Sequence, residues 1–98
     1  MEQDRSKTIF FLMALYGPTP LIPVEDVCRD FFGHLTPAKL LQKTTAGEIA
    51  LPITRIDPNS QKTAKYVAIT HLAEWLDTQQ EAAHKELPHW LSQRQADG

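Results

Sequence analysis

Two helix signals stand back to back between Val24 and Gly47, and no other feature constrains the fold of this chain as much. Apolar residues recur at Val24, Val27, Cys28, Phe31 and Phe32, the i, i+3, i+4, i+7, i+8 spacing that lays one apolar stripe along a helix. Pro23 suits a first turn, where its missing N–H costs nothing, and Glu25 and Asp26 complement the positive end of the helix dipole. Gly33 ends that helix. Three residues on, Thr36 offers an N-cap oxygen, Pro37 fits the first helical position, and Gly47 stands where a left-handed residue closes a helix. The second helix is therefore about 11 residues, roughly 16 Å, long. Its inward stripe is Leu40, Leu41 and Thr44, and Ala38, Lys39, Gln42, Lys43 and Thr45 face outward.

The flanks are read against this pair of short helices. Upstream, Ile9 to Tyr16 is continuously apolar and stops at Gly17-Pro18, which predicts a buried strand, a short helix being the other form that periodicity allows. Pro20 and Pro23 frame an extended Leu21-Ile22. Downstream, the β-branched runs Leu51–Ile56 and Tyr66–Ile69 flank the polar loop Asp57–Lys65 and predict a hairpin with a long tip. Pro52 confines its strand to an edge or to its first residues. Thr70 is the expected N-cap of a longer helix with Leu72, Trp75, Leu76, Gln79 and Ala83 on one face, ended or kinked by Pro88. The expected class is α+β: a small winged helix-turn-helix with a two-stranded wing, a C-terminal helix and an N-terminal strand. At 98 residues one modest core is expected, over about residues 8–87, with 1–7 and 88–98 as mobile tails.

Several function classes find no support in the residues. Cys28 is the single cysteine and lies on the apolar stripe, which excludes an internal disulfide and an all-cysteine zinc site and predicts a buried, inert thiol. His34, His71, His84 and His89 show no metal-ligand spacing. No Ser-His-Asp set, paired-carboxylate motif or phosphate-binding glycine loop can be assembled. A non-enzymatic protein without metal or cofactor is expected. The longest apolar run is far short of the roughly 20 residues of a membrane span, and no signal peptide pattern precedes it, so a cytoplasmic protein with no membrane partner is expected.

Charge points to a partner. The formal net charge is −2, yet residues 34–66 carry Lys39, Lys43, Arg55, Lys62 and Lys65 against only Glu48 and Asp57. A basic middle third between two acidic ones fits polyanion binding through one face. A short helix enters a major groove about 12 Å wide, and its outward residues there meet base edges and phosphates. Lys39, Gln42, Lys43 and Thr45 are those residues, and the free N–H groups near Thr36 suit a phosphate. Asn59, Ser60, Gln61, Lys62 and Lys65 supply short donors and cations on the hairpin loop, and Arg55 an outward cation on its strand. A solvated face for the lysines and an Arg29 salt bridge to Glu25 or Asp26 are the bland readings of the same charges.

The order helix, turn, helix, hairpin, helix is similar to the small winged form of excisionase-like and MerR-like DNA-binding domains. More specifically, Phe10–Tyr16, Ile22-Pro-Val-Glu-Asp-Val-Cys-Arg-Asp-Phe-Phe32, His34-Leu-Thr-Pro37, Ala46-Gly-Glu-Ile-Ala-Leu-Pro-Ile-Thr-Arg-Ile56 and Ser60-Gln-Lys-Thr-Ala-Lys65 resemble the pyocin activator protein (PrtN) family, in the family's order and over about residues 8 to 84. The resemblance implies a phage-derived transcriptional activator that binds a short double-stranded promoter element upstream of tailocin or prophage genes, with RNA polymerase as a further partner. A single domain of this size reads few base pairs, so a homodimer or tandem binding on repeated half-sites is expected. Two alternatives remain open: an excisionase-like architectural DNA-binding protein, and a phage protein-binding module (antirepressor) using the hairpin edge and Trp90-Leu91.

Overall fold

The computed structural model describes residues 5–87; Pro88, the Trp90-Leu91 pair and the remainder of the expected C-terminal tail lie outside them. Along the chain run α1 (Arg5–Tyr16), β1 (Leu21–Pro23), α2 (Val24–Phe31), α3 (Pro37–Thr45), β2 (Thr54–Arg55), β3 (Lys65–Ala68) and α4 (Ile69–Lys85). Four helices and one small antiparallel sheet make an α+β domain, with sheet order β1-β3-β2. Leu21, Ile22 and Pro23 pair with Ala68, Val67 and Tyr66, and on the other side of β3 Thr54 and Arg55 pair with Tyr66 and Lys65. The extended Leu21-Ile22 is thus a third strand that lengthens the expected hairpin into a sheet.

The first correction concerns Ile9–Tyr16, which is helical and not a strand. Its only β-branched residue is Ile9; Leu12, Met13, Ala14 and Leu15 are among the best helix formers. Gly17 sits at φ +87 and its N–H donates to the Met13 carbonyl at 2.8 Å, so Gly17-Pro18 closes a helix rather than a strand. Arg5, Ser6 and Lys7, expected in a tail, form its first turn. Ile9, Leu12 and Tyr16 turn inward, and α1 packs along α4.

The helix pair follows the sequence more closely. Val24, Val27, Cys28 and Phe32 are buried, and Pro23 is the N-cap residue of α2 as well as the last residue of β1. The α2 helix stops at Phe31, so the turn to α3 is residues 32–36 and Gly33 lies within it, with no left-handed conformation. Cys28 is buried, and its thiol donates to the Leu35 carbonyl at 3.1 Å, tying that turn to α2. Thr36 Oγ1 accepts the Lys39 N–H at 3.2 Å with Pro37 behind it, the anticipated cap. Gly47, at φ +79, follows the end of α3 as expected.

Two further boundaries shift. The strand expected over Leu51–Ile56 shrinks to Thr54–Arg55, because Pro52 has no N–H for a ladder; Leu51 is buried in the core instead. Likewise α4 begins at Ile69, with Ala68 and not Thr70 as its N-cap residue. The Ile69 N–H donates to the Pro20 carbonyl at 2.9 Å, so the sheet feeds the helix directly. On α4, Leu72 and Ala73 are buried and Trp75 and Leu76 half-buried, whereas Gln79 and Ala83 are exposed. Trp75 packs against Phe32 with ring centroids 4.9 Å apart.

A polar tie joins α1 to α2. The Tyr16 hydroxyl donates to Asp30 at 2.6 Å, and Arg29 reaches both Asp30 and Asp26 at 3.0 Å. Arg29 holds the Asp30 carboxyl below its ordinary value, aided by the Tyr16 hydroxyl. Burial, then the hydrogen bond to Asp30, pushes the Tyr16 phenol far above its own. For Asp30 the folded state favours the carboxylate, so this contribution is present above the ordinary carboxylate range and is lost as pH falls through the lowered value. For Tyr16 the neutral phenol is favoured, so its contribution is full below the ordinary phenol range and declines as pH rises above it. Tyr16→Phe should therefore flatten the alkaline arm of the stability–pH profile and weaken the acid arm, as measured by thermal unfolding from acid to alkaline pH.

Candidate nucleic-acid interface

The α3 helix presents its candidates because one residue anchors it. Leu40 is completely buried while Leu41 and Thr44 are half-buried, which turns Ala38, Lys39, Gln42 and Thr45 to solvent. Lys39 Nζ lies 3.5 Å from Gln42 Oε1, so two candidates of the outward face touch each other. Ala38, Leu41, Gln42, Thr45 and Ala46 line a shallow depression along the helix. Its surface offers two methyl-bearing side chains on either side of one amide, a pattern suited to a base edge and a thymine methyl.

Lys43 is placed differently. It is only partly exposed, and its ammonium pairs with Glu48 Oε1 at 3.2 Å. The pairing follows from the turn after α3, where the Glu48 and Ile49 N–H groups both donate to the Lys43 carbonyl. An exposed pair of this kind is worth about 0–1 kcal/mol, so a phosphate competes for Lys43 on favourable terms. The spacing Lys43…Glu48 across Gly47 was the available signal for this partner.

The loop between β2 and β3 is shaped by its own polar residues. Asp57 Oδ1 accepts the Asn59 N–H at 3.1 Å, Ser60 Oγ accepts the Lys62 N–H at 3.2 Å, and Thr63 Oγ1 accepts the Asp57 N–H at 3.1 Å. Such turns satisfy backbone donors locally and fix a loop too long for a simple hairpin. Lys65 Nζ donates to the Gln61 and Thr63 carbonyls at 3.0 and 3.3 Å, so it braces the loop. Asn59, Gln61 and Lys62 are exposed at its tip and Ser60 is half-buried, while Arg55 is exposed on β2. Ile56, next to Arg55, is also largely exposed, an apolar residue on the loop that the polar pattern hid.

Of the bland readings, Arg29 is engaged by Asp26 and Asp30. Among the described residues no group of His, Cys, Asp and Glu comes together to hold a metal ion, and no helix is long and apolar enough to cross a membrane.

No curated protein and no solved structure shows a significant match to the chain. A family model described as Pyocin activator protein PrtN matches residues 8–83, from the first apolar turn of α1 to near the end of α4. That span contains α2, α3, the β2–β3 loop and every candidate contact named above. The chain belongs to the pyocin activator protein PrtN family.

Proposed function

We propose that this protein is a DNA-binding transcriptional activator of pyocin or tailocin-like genes, built as a winged helix-turn-helix. The family match over residues 8–83 carries the reading. It is supported by the outward Lys39, Gln42 and Thr45 of a capped helix and by a braced loop bearing Lys62. In this reading α3 lies in the major groove, with Gln42 reading a base edge and Ala38 and Thr45 beside it. Thr36, Lys39, Lys43, Arg55 and the loop residues Asn59, Ser60, Gln61, Lys62 and Lys65 hold phosphates and set register. The protein acts by binding, not catalysis, in the cytoplasm, and works with RNA polymerase on sites occupied by more than one protomer.

The test is a binding titration on fragments of adjacent prophage promoters against scrambled duplexes, with wild type and Gln42→Ala. A bidentate side chain–base pair is worth about 1–3 kcal/mol of discrimination. Gln42→Ala should therefore relax preference at one or two base pairs by roughly 5- to 150-fold and leave binding to scrambled DNA unchanged. Equal, weak binding of wild type to every duplex would sink the activator reading.

A further inference from the structure

From Ile9 to Tyr16 the α1 helix is apolar on every side, a composition that belongs to a helix buried all round. Only one side is covered. Ile9, Leu12 and Tyr16 pack inward, while Phe10 is 67 % exposed, Phe11 64 %, Leu15 60 % and Met13 40 %. With 12 residues the helix is far short of the roughly 20 that a bilayer requires. At about 200 Å² per large apolar side chain, Phe10, Phe11 and Leu15, which share one face with Ala14, leave roughly 380 Å² in water, within the range of the largest apolar patches that monomers carry.

We propose that this face is covered by the same face of a second copy of the chain, in an antiparallel α1–α1 pair. Three observations favour that occupant. A dimer interface needs about 800 Å² from each partner, and the three side chains supply nearly half of it from a single helix. Lys7 starts this side of the helix, and beyond it no charge follows through Tyr16, so a partner rich in charge would find little to pair with, whereas an identical apolar helix meets its own chemistry. Phe10 and Ala14 stand four apart on the exposed side, so an antiparallel two-fold pairing sets the large ring of one copy over the small residue of the other, twice. The Phe11–Leu15 flank, which walls a groove with Phe31 and Leu76, then lies along the same flank of the second copy.

The pairing deepens the DNA-binding reading by naming how two protomers are joined, yet it is tested without DNA. In sedimentation velocity of the full chain from about 1 to 100 µM, wild type should move from 11.1 kDa toward twice that mass. Phe10→Glu, at a solvent-facing position, should keep the helical circular dichroism and weaken dimerisation at least about 30-fold. Leu15→Lys, at the other end of the face, reads the same effect should the first variant unfold. Phe10→Glu/Ala14→Lys sets opposite charges across the antiparallel pair and should recover dimer to within about tenfold of wild type. A monomeric wild type at the highest concentration, dimers of unchanged strength in both single variants, or no recovery in the double variant would each overturn the proposal. The two readings fail separately: a monomer that still binds promoter DNA removes only the pairing, and a dimer indifferent to DNA removes only the activator.

Discussion

Leu40→Ala should lower the stability of the domain by about 3 kcal/mol, within the 2–5 kcal/mol span of buried leucine truncations. Leu40 is the one fully buried residue of α3 and has no exposed surface at all. It belongs to the same buried cluster as Val27, Cys28 and Phe32, so its removal leaves a cavity in the core on which α3 sits. A domain of this size has about 5–15 kcal/mol of total stability, and the loss should shift the midpoint of thermal unfolding down by roughly 12–24 °C. Leu41→Ala, at a half-buried position, should cost clearly less. DNA affinity of Leu40→Ala should match wild type at temperatures where the variant is folded and vanish with unfolding. A midpoint within a few degrees of wild type would mean that α3 is not seated on Leu40.

The helix pair was legible because capping and periodicity spoke together. Thr36, Pro37 and Gly47 mark the ends of α3 by local geometry, and the Val24–Phe32 stripe marks the buried side of α2. Where local signals conflicted, tertiary context decided. The Ile9–Tyr16 run has no amphipathic period because both of its sides are apolar, so periodicity could not separate strand from helix; the glycine at φ +87 was the better guide. Thr70 is a good capping residue by type, yet β3 delivers the chain to α4 with Ala68 at the cap, and the Pro20 carbonyl accepts the first N–H. Within the candidate interface, residue type predicted exposure for Lys39, Gln42 and Lys62. It did not predict that Lys43 faces Glu48 or that Lys65 braces the loop, since both partners arise from turn geometry.

Those placements set what the basic residues should do on DNA. With about five cations on phosphates, log affinity should fall with log salt at a slope of about −4 to −5 per protomer. Between 50 and 200 mM salt that slope costs roughly 250- to 1,000-fold in affinity. Lys39→Ala/Lys43→Ala/Lys62→Ala should remove about 2.7 from the slope, reduce the same salt interval to roughly 6- to 25-fold, and weaken binding at 100 mM at least about 100-fold. None of the three side chains is buried, so unfolding midpoints should stay close to wild type. Glu48→Gln acts in the opposite direction: it releases Lys43 from its 3.2 Å pair and removes a negative charge, and should tighten binding several-fold. Lys85→Ala, an exposed cation at the far end of α4, should change neither slope nor affinity. The protein-binding alternative makes the reverse demand, since there the triple variant keeps full activity in cells and Trp90→Ala abolishes it. An unchanged salt slope in the triple variant would therefore remove α3 and the loop from the DNA and shift the functional surface elsewhere on the domain.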